Sequence, residues 1–196
     1  MSEVKIFKFN DGNSGLTEDD FNEKVEDERL YRMYCLVLRQ LSPMQKGIQA
    51  AHSIVEYANK FPHDEEYKEW SKFDKTIIVL DAGTSFDIEE IIDQLDEHNV
   101  NYTAFKEEDL NGIVTSIAVL VDDHIFDKET YPDFEEWRDN KYPVREYHLL
   151  SYVGHFDHDP NDFTYKEHHK EWVKDVMEGE KNVFLRELIS SKRLAN

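Results

Sequence analysis

Residues 34–57 decide the fold, and they read YCLVLRQLSPMQKGIQAAHSIVEY. The stretch begins with a nearly continuous apolar run that ends at Leu38, as expected of a strand covered on both faces. Ser42, Pro43 and Gln45 follow as an N-cap, a first-turn proline and a capping-box partner, so a helix is predicted to begin at Pro43. A buried strand that leads directly into a capped helix is typical of an α/β protein.

The helix predicted over residues 43–60 has two faces of different character. Apolar residues recur at helical spacing and are predicted to face the sheet, while polar residues occupy the remaining arc, where they can meet a ligand. Gly47 is unusual, because glycine inside a helix costs about 1 kcal/mol relative to alanine. Our preferred explanation is that it lets the helix sit near the sheet, and close approach of a ligand is the alternative. The predicted inward residues are Met44, Ile48, Ala51, Val55 and Ala58, and the predicted outward residues are Gln45, Lys46, Gln49, His52, Ser53 and Glu56.

The order of the remaining elements predicts an α/β fold, a four-stranded mixed sheet with helices on both faces. Right-handed crossovers place helices over such a sheet, and the last two strands can form a hairpin. Thr84 and Asp87 form a second capping pair before an apolar helical stripe. The predicted strands cover residues 32–38, 75–81, 101–106 and 113–121, and the predicted helices cover 43–60, 86–98, 164–177 and 181–193.

We divide the chain into three parts. Residues 1–30 form an acidic N-terminal extension, in which residues 4–9 alternate weakly like an edge strand and Thr17 with Asp20 matches a capping box. Residues 31–126 form the α/β core. Residues 127–196 form a C-terminal appendage that is rich in aromatic and charged residues and contains two helices.

Composition limits the class of protein. The chain has 196 residues, which is enough to bury a sizeable core, and it contains neither an apolar run of roughly 20 residues nor a signal-peptide pattern. Its single cysteine, Cys35, can form no intramolecular disulfide and is predicted to be a buried residue. We therefore expect a soluble cytoplasmic protein with no membrane partner, and the oligomeric state stays open, a homodimer included.

The formal net charge of -20 is unevenly distributed. Residues 82–162 carry 5 basic and 21 acidic side chains, whereas residues 29–81 carry 8 and 7, and residues 163–196 carry 7 and 6. A polyanion is repelled by a strongly negative field. It would therefore have to approach the nearly neutral region that contains the first strand and helix.

One segment near residue 160 is rich in residue types that bind metals. Its spacing matches no established metal motif, and Asp and Asn beside a proline are ordinary turn formers, so a solvated loop is the preferred interpretation. The sequence also lacks a phosphate-binding glycine loop and a zinc-finger cysteine pair, and we expect no cofactor and no metal. The residues concerned are His155, Asp157, His158, Asp159, Pro160, Asn161 and Asp162.

An ordered set of residues runs through the first strand, the first helix and the last strand: Arg39, Leu41, Met44, Lys46, Gly47, Gln49, Ala51 and His52, and then Gly112, Val114 and Thr115. This order resembles that of the type 2 peptidyl-tRNA hydrolases, a small α/β family of archaea and eukaryotes, over residues 31–121. Short bacteriophage proteins of similar pattern also resemble the chain in its terminal helices. The resemblance implies the family fold, tRNA as the partner, and hydrolysis of the ester between peptide and tRNA.

The resemblance also implies roles for individual residues. Ester hydrolysis needs a group that orients or deprotonates water and donors for the developing oxyanion. Glu107 would orient water or a lysine, Lys46 would supply positive charge, and Gln49 and Thr115 would donate or relay hydrogen bonds. The implied substrate-binding residues are Arg39, Gln45, Gln49 and His52. For His52 and Thr115 a purely structural role is the alternative.

Departures from the family pattern support a second hypothesis. The spacing between the Lys46–Gly47 pair and His52 is shorter than in the family. The loop formed by residues 106–112 is also shorter and lacks the family's aspartate, which Glu107 would have to replace. A catalytically inactive protein with a hydrolase fold would fit these departures. In this alternative the acidic surface of residues 82–162 binds a basic protein partner or mimics nucleic acid, while acidity that serves only solubility is the simplest reading.

Overall fold

The computed structural model describes residues 30–143 and 163–195, so the predictions for residues 1–29 and for the segment near residue 160 lie outside the described residues. Four strands and six helices lie within the described ranges, together with short helical turns at Trp70–Asp74, Glu108–Leu110 and Asp123–Phe126. The strands are β1 (Tyr31–Leu38), β2 (Ile77–Gly83), β3 (Tyr102–Glu107) and β4 (Ile113–Asp122). The helices are α1 (Pro43–Lys60), α2 (Glu65–Glu69), α3 (Ser85–Glu97), α4 (Phe134–Lys141), α5 (Phe163–Asp175) and α6 (Glu180–Ser190).

The four strands form one mixed sheet in the order β2-β1-β4-β3. β1 is parallel to β2 and antiparallel to β4, and β4 is antiparallel to β3. The carboxyl ends of β1, β2 and β3 therefore meet at one edge of the sheet, together with the start of β4. The predicted α/β class and the four-stranded mixed sheet are confirmed, and ligands of open α/β sheets commonly bind at this edge.

Both predicted capping boxes are present. The Ser42 side chain accepts the N–H of Gln45 and the Gln45 side chain accepts the N–H of Ser42, so α1 begins at Pro43 as expected. Thr84 and Asp87 cap α3 in the same reciprocal way. These local hydrogen bonds satisfy backbone donors that a helix start leaves unpaired.

Helices cover both faces of the sheet. On one face, α1 packs over alternate residues of β1 and β4, including Met33, Cys35 and Ala118. On the other face, α3 and α6 contribute Ile88, Leu95, Leu185 and Leu188 to a second apolar cluster. A third cluster joins α4, α5 and α6 around Phe134, Trp172 and Met177. The helix α6 thus connects the C-terminal segment to the core of the sheet.

The predicted orientation of α1 is wrong. Met44, Ile48 and Val55 are 78%, 47% and 57% exposed, whereas five other residues face the sheet. The inward residues follow regular helical spacing, so the amphipathic geometry is intact but its buried face is largely polar. This occurs because the sheet surface beneath α1 presents hydroxyl groups that bond to the helix, as described below. The residues that α1 buries are Lys46, Gln49, Ala50, Ser53 and Tyr57.

The explanation preferred for Gly47 is also wrong. Gly47 is exposed, and a Cβ atom added to it would meet no atom within 4 Å. It therefore permits no close approach to the sheet.

Candidate functional site

A hydrogen-bonded chain of three side chains lies at the carboxyl edge of the sheet. Thr115 Oγ1, near the start of β4, donates to Gln49 Oε1 on α1 over 2.8 Å. Gln49 Nε2 then donates to Glu107 Oε2, at the end of β3, over 2.7 Å. Thr115 and Gln49 are buried, while Glu107 is partly exposed. We call Thr115, Gln49 and Glu107 the edge triad, and it joins a buried hydroxyl to a carboxylate that solvent can reach.

A β-bulge directs Thr115 toward α1. Phe105 pairs with Ser116 and Lys106 pairs with Val114, so Thr115 is an extra residue that no residue of β3 pairs with in the strand register. In a regular strand, Thr115 and Ser116 would point to opposite faces. Because of the bulge, both side chains reach Gln49. Bulges of this kind often redirect side chains beside functional sites.

Two further hydroxyls attach α1 to the sheet. Ser116 Oγ donates to the carbonyl oxygen of Gln49 over 2.6 Å, and Thr103 Oγ1 donates to the carbonyl oxygen of Ser53 over 2.8 Å. These bonds explain why α1 turns its polar face inward, since buried hydroxyls need partners. Ser116 and Thr103 were not predicted from the sequence as supports of the site. Hydroxyls in otherwise apolar strands were the only signal for them.

Lys46 lies three residues before Gln49 and therefore on the same inward face of α1. Its side chain is buried, in contrast to the outward position that the sequence predicts. Lys46 and Gln49 therefore share the buried face of α1. Lys46, one of the predicted catalytic residues, thus faces the sheet.

Two of the predicted substrate-binding residues lie apart from the edge triad. Gln45 is exposed, and its Oε1 accepts hydrogen bonds from the N–H and the hydroxyl of Ser42. His52 is also exposed, and its ring packs on Phe105 with 4.5 Å between the ring centres. Gln45 thus has a capping role and His52 covers an aromatic ring of β3.

Arg39 belongs to a second cluster at the same edge, around the buried carboxylate of Asp81. Arg39 Nε lies 3.0 Å from Asp81 Oδ2, and Arg193 Nη2 lies 3.1 Å from the same oxygen. Burial raises the pKa of Asp81, but the N–H of Gly83 and the two guanidinium groups outweigh this effect and lower it below its ordinary value. Asp81 and Arg193 were not predicted from the sequence as site residues. The only signal was a charged residue at the end of an apolar strand.

The outward face of α1 carries an apolar stripe formed by Met44, Ile48 and Val55. Leu110 and Ile113, in and after the turn between β3 and β4, are also large exposed apolar residues. Glu108 and Asp109 lie in the same turn. Exposed apolar side chains arranged in a row commonly mark surfaces that contact a partner.

No family model matches the sequence, and no curated protein is similar to it. Within residues 30–143 and 163–195, no group of three His, Cys, Asp or Glu residues could hold a metal ion. The described part of the chain also contains no helix with the length and apolar character needed to cross a membrane.

Proposed function

We propose that the protein is a divergent peptidyl-tRNA hydrolase-like enzyme with the type 2 fold, which hydrolyses the ester between a peptide and tRNA. The edge triad carries this proposal. It combines a hydroxyl, an amide and a carboxylate at the edge of the sheet where ligands of α/β proteins commonly bind. Three residues that the family resemblance assigns to the site, Gln49, Glu107 and Thr115, are the ones joined by hydrogen bonds.

Each residue of the edge triad has a task in ester hydrolysis. The carboxylate of Glu107 accepts one hydrogen bond from Gln49 and has further lone pairs with which to accept a proton from water. Gln49 fixes the position of that carboxylate, and Thr115 fixes the orientation of the Gln49 amide. Such positioning matters because a general base must lie within hydrogen-bond reach of the water that it activates.

The reaction itself needs no bound group. The oxygen of the activated water bonds to the ester carbonyl carbon, and the carbonyl oxygen becomes an oxyanion, which the positive charge of Lys46 stabilises. The bond from that carbon to the ribose oxygen then breaks. The proton taken up by Glu107 passes to the leaving ribose oxygen, which becomes the tRNA hydroxyl. The peptide leaves as a carboxylic acid and loses the second proton of the water to solvent to become a carboxylate.

The test is release of labelled peptide from peptidyl-tRNA by the purified full chain. Thr115→Val removes the hydroxyl that orients Gln49 and should lower the rate at least about tenfold. Glu107→Gln should abolish release, because an amide cannot accept the proton. Thr103→Val is the matched control, since it also removes a buried hydroxyl that bonds to α1 but lies outside the edge triad. Absence of release by the wild-type protein at micromolar concentration would refute the proposal.

The exposed stripe on α1 supports a second candidate function, an interaction protein that binds a basic partner. Met44, Ile48 and Val55 gain from burial under an apolar surface, and the negative net charge of the protein would attract the basic groups of such a partner. In this case the hydrolase fold would serve as a scaffold. The charge of -20 makes a basic partner more favourable than nucleic acid.

The probe for this candidate is a synthetic amphipathic helix with leucine on one face and lysine on the other. Ile48→Glu should weaken its binding strongly, because the change places a carboxylate in the centre of the stripe. Asn59→Glu adds the same charge at another exposed position of α1 and serves as the control. If the two variants bind the peptide equally well, the peptide recognises only the net charge of the protein. Sedimentation of the protein alone tests whether a second copy covers the stripe instead.

A further inference from the structure

A cavity of about 300 Å³ lies at the carboxyl ends of β1 and β2, where the last residues of the described chain return to the sheet. The C-terminal residues run along β2, and the N–H of Asp81 donates to the carbonyl oxygen of Arg193 over 2.9 Å. This pairing brings Lys192 and Arg193 beside Arg39, which directly follows β1. The charged residues that line the cavity, together with Gly83, are Arg39, Asp81, Asp87, Lys192 and Arg193.

The charges around the cavity are positive on balance. Arg39 and Arg193 share one carboxylate, that of Asp81, so one guanidinium charge is left without an acidic partner in that cluster. Lys192 adds another positive charge, which Asp87 offsets. The Asp87 carboxylate is already engaged in capping α3, where it accepts two hydrogen bonds from Thr84. A locally positive cavity is notable in a protein whose net charge is -20.

The two arginines have donor capacity beyond Asp81. A guanidinium group carries five N–H donors, and Arg39 uses its Nε for the buried carboxylate. The side chains of Arg39 and Arg193 are 54% and 74% exposed, so their remaining donors can reach a ligand. Asp81, only 6% exposed, holds both groups in place from below. Its hydrogen bond with the N–H of Gly83 fixes the carboxylate in turn.

We propose that this cavity binds a phosphate monoester, with Arg39 and Arg193 as paired guanidinium ligands and Lys192 as a third positive charge. Guanidinium groups match the geometry of phosphate oxygens through two parallel hydrogen bonds, which favours phosphate over a simple halide or a hydrated anion. The start of α3 lies at the same edge, directly after Gly83, but the Asp87 carboxylate already caps it, so the attraction for a doubly charged anion comes from the two arginines and Lys192. The site is separate from the edge triad and does not depend on ester hydrolysis.

The phosphate can belong to a small molecule or to the end of an RNA strand, and calorimetric titration of the full chain at low salt distinguishes them. The first probe pair is AMP and adenosine, which differ only in the phosphate. AMP should bind at least about tenfold more tightly, because each charge-assisted hydrogen bond adds roughly that factor. The second pair is a short RNA with a 5′-phosphate or a 5′-hydroxyl. Tighter binding of the phosphorylated RNA than of AMP identifies RNA as the source, and the reverse identifies a small molecule.

The variants localise the binding. Arg193→Gln removes one guanidinium ligand and should weaken AMP binding about tenfold. Lys181→Gln is the matched control, because it removes the same charge from an exposed position at the start of α6. Equal affinities for AMP and adenosine, equal losses in the two variants, or a failure of millimolar inorganic phosphate to compete with AMP would each overturn the proposal.

Discussion

The hydrogen bond from Thr115 to Gln49 allows a quantitative test of the arrangement at the sheet edge. Both residues are buried, at 0% and 6% exposure, and their oxygen atoms lie 2.8 Å apart. Thr115→Val preserves the shape of the side chain but removes its hydroxyl, so the Gln49 amide oxygen loses this hydrogen-bond donor. Loss of one partner from a buried polar pair costs about 1–3 kcal/mol of the free energy of unfolding. With a typical dependence on urea, the unfolding midpoint should fall by roughly 1 M.

Urea unfolding followed by tryptophan fluorescence measures this change, and two variants control for it. Thr115→Ser keeps the hydroxyl and loses one methyl group, so it should cost only about 0.8 kcal/mol. Thr103→Val removes a hydroxyl that donates to the Ser53 carbonyl, and a helical carbonyl retains its backbone N–H partner. Valine at position 103 should therefore cost less than valine at position 115. A cost at Thr115 below about 0.5 kcal/mol, or no greater than at Thr103, would refute the reasoning.

Four further predictions concern other parts of the fold. Gly83→Ala should lower the thermal midpoint, because φ is +91° there and the new Cβ would overlap the Asp87 carboxylate. Gly47→Ala should stabilise the fold by up to about 1 kcal/mol and so raise the thermal midpoint, since the added methyl meets nothing. A higher midpoint for Gly83→Ala would contradict the first prediction, and a lower midpoint for Gly47→Ala would contradict the second. The pKa of Asp81 is lower in the folded protein than its unfolded value of about 3.9. The ionised carboxylate therefore stabilises the fold above the unfolded pKa, and this contribution is lost as the pH falls through the lower pKa of the folded protein. Asp81→Asn should thus lose less stability than the wild type between about pH 5 and about pH 3 in urea unfolding, and an equal loss argues against the ion pairs. Burial raises the pKa of Cys35 to about 12, so a thiol reagent at about pH 8 should label it only after denaturation, and rapid labelling of the folded protein would contradict its burial.

Much of the fold was predictable because its signals are local. The capping residues Ser42 and Thr84 fix where two helices begin, and their hydrogen bonds join residues only three apart. Short apolar runs located all four strands to within about two residues of their observed bounds, because a strand buried between two helix layers is apolar on both faces. The sheet and its class followed from the order of these elements.

The candidate site was predictable only in part. Gln49, Glu107 and Thr115 were named from the resemblance, and the structure brings them into one hydrogen-bonded chain. Gln45 and His52 were named with them, but lie outside it. Sequence spacing could not separate these groups, because all three helix residues fell on the arc that the sequence assigned to the outward face.

The sequence by itself determined the four strands, four of the six described helices, the order of these elements and the uneven distribution of charge, whereas the short helices α2 and α4 were not predicted. Only the tertiary structure decided which face of α1 is buried, since that helix carries apolar residues on two arcs and periodicity alone cannot choose between them. The choice depends on the surface that the sheet offers. The bulge turns the hydroxyl of Thr115 toward α1, and this hydroxyl and those of Ser116 and Thr103 need polar partners. Gln49 and the carbonyl oxygens of α1 supply them. The meeting of Arg39 with Arg193 likewise required the folded chain, because nothing local connects residues so distant in sequence.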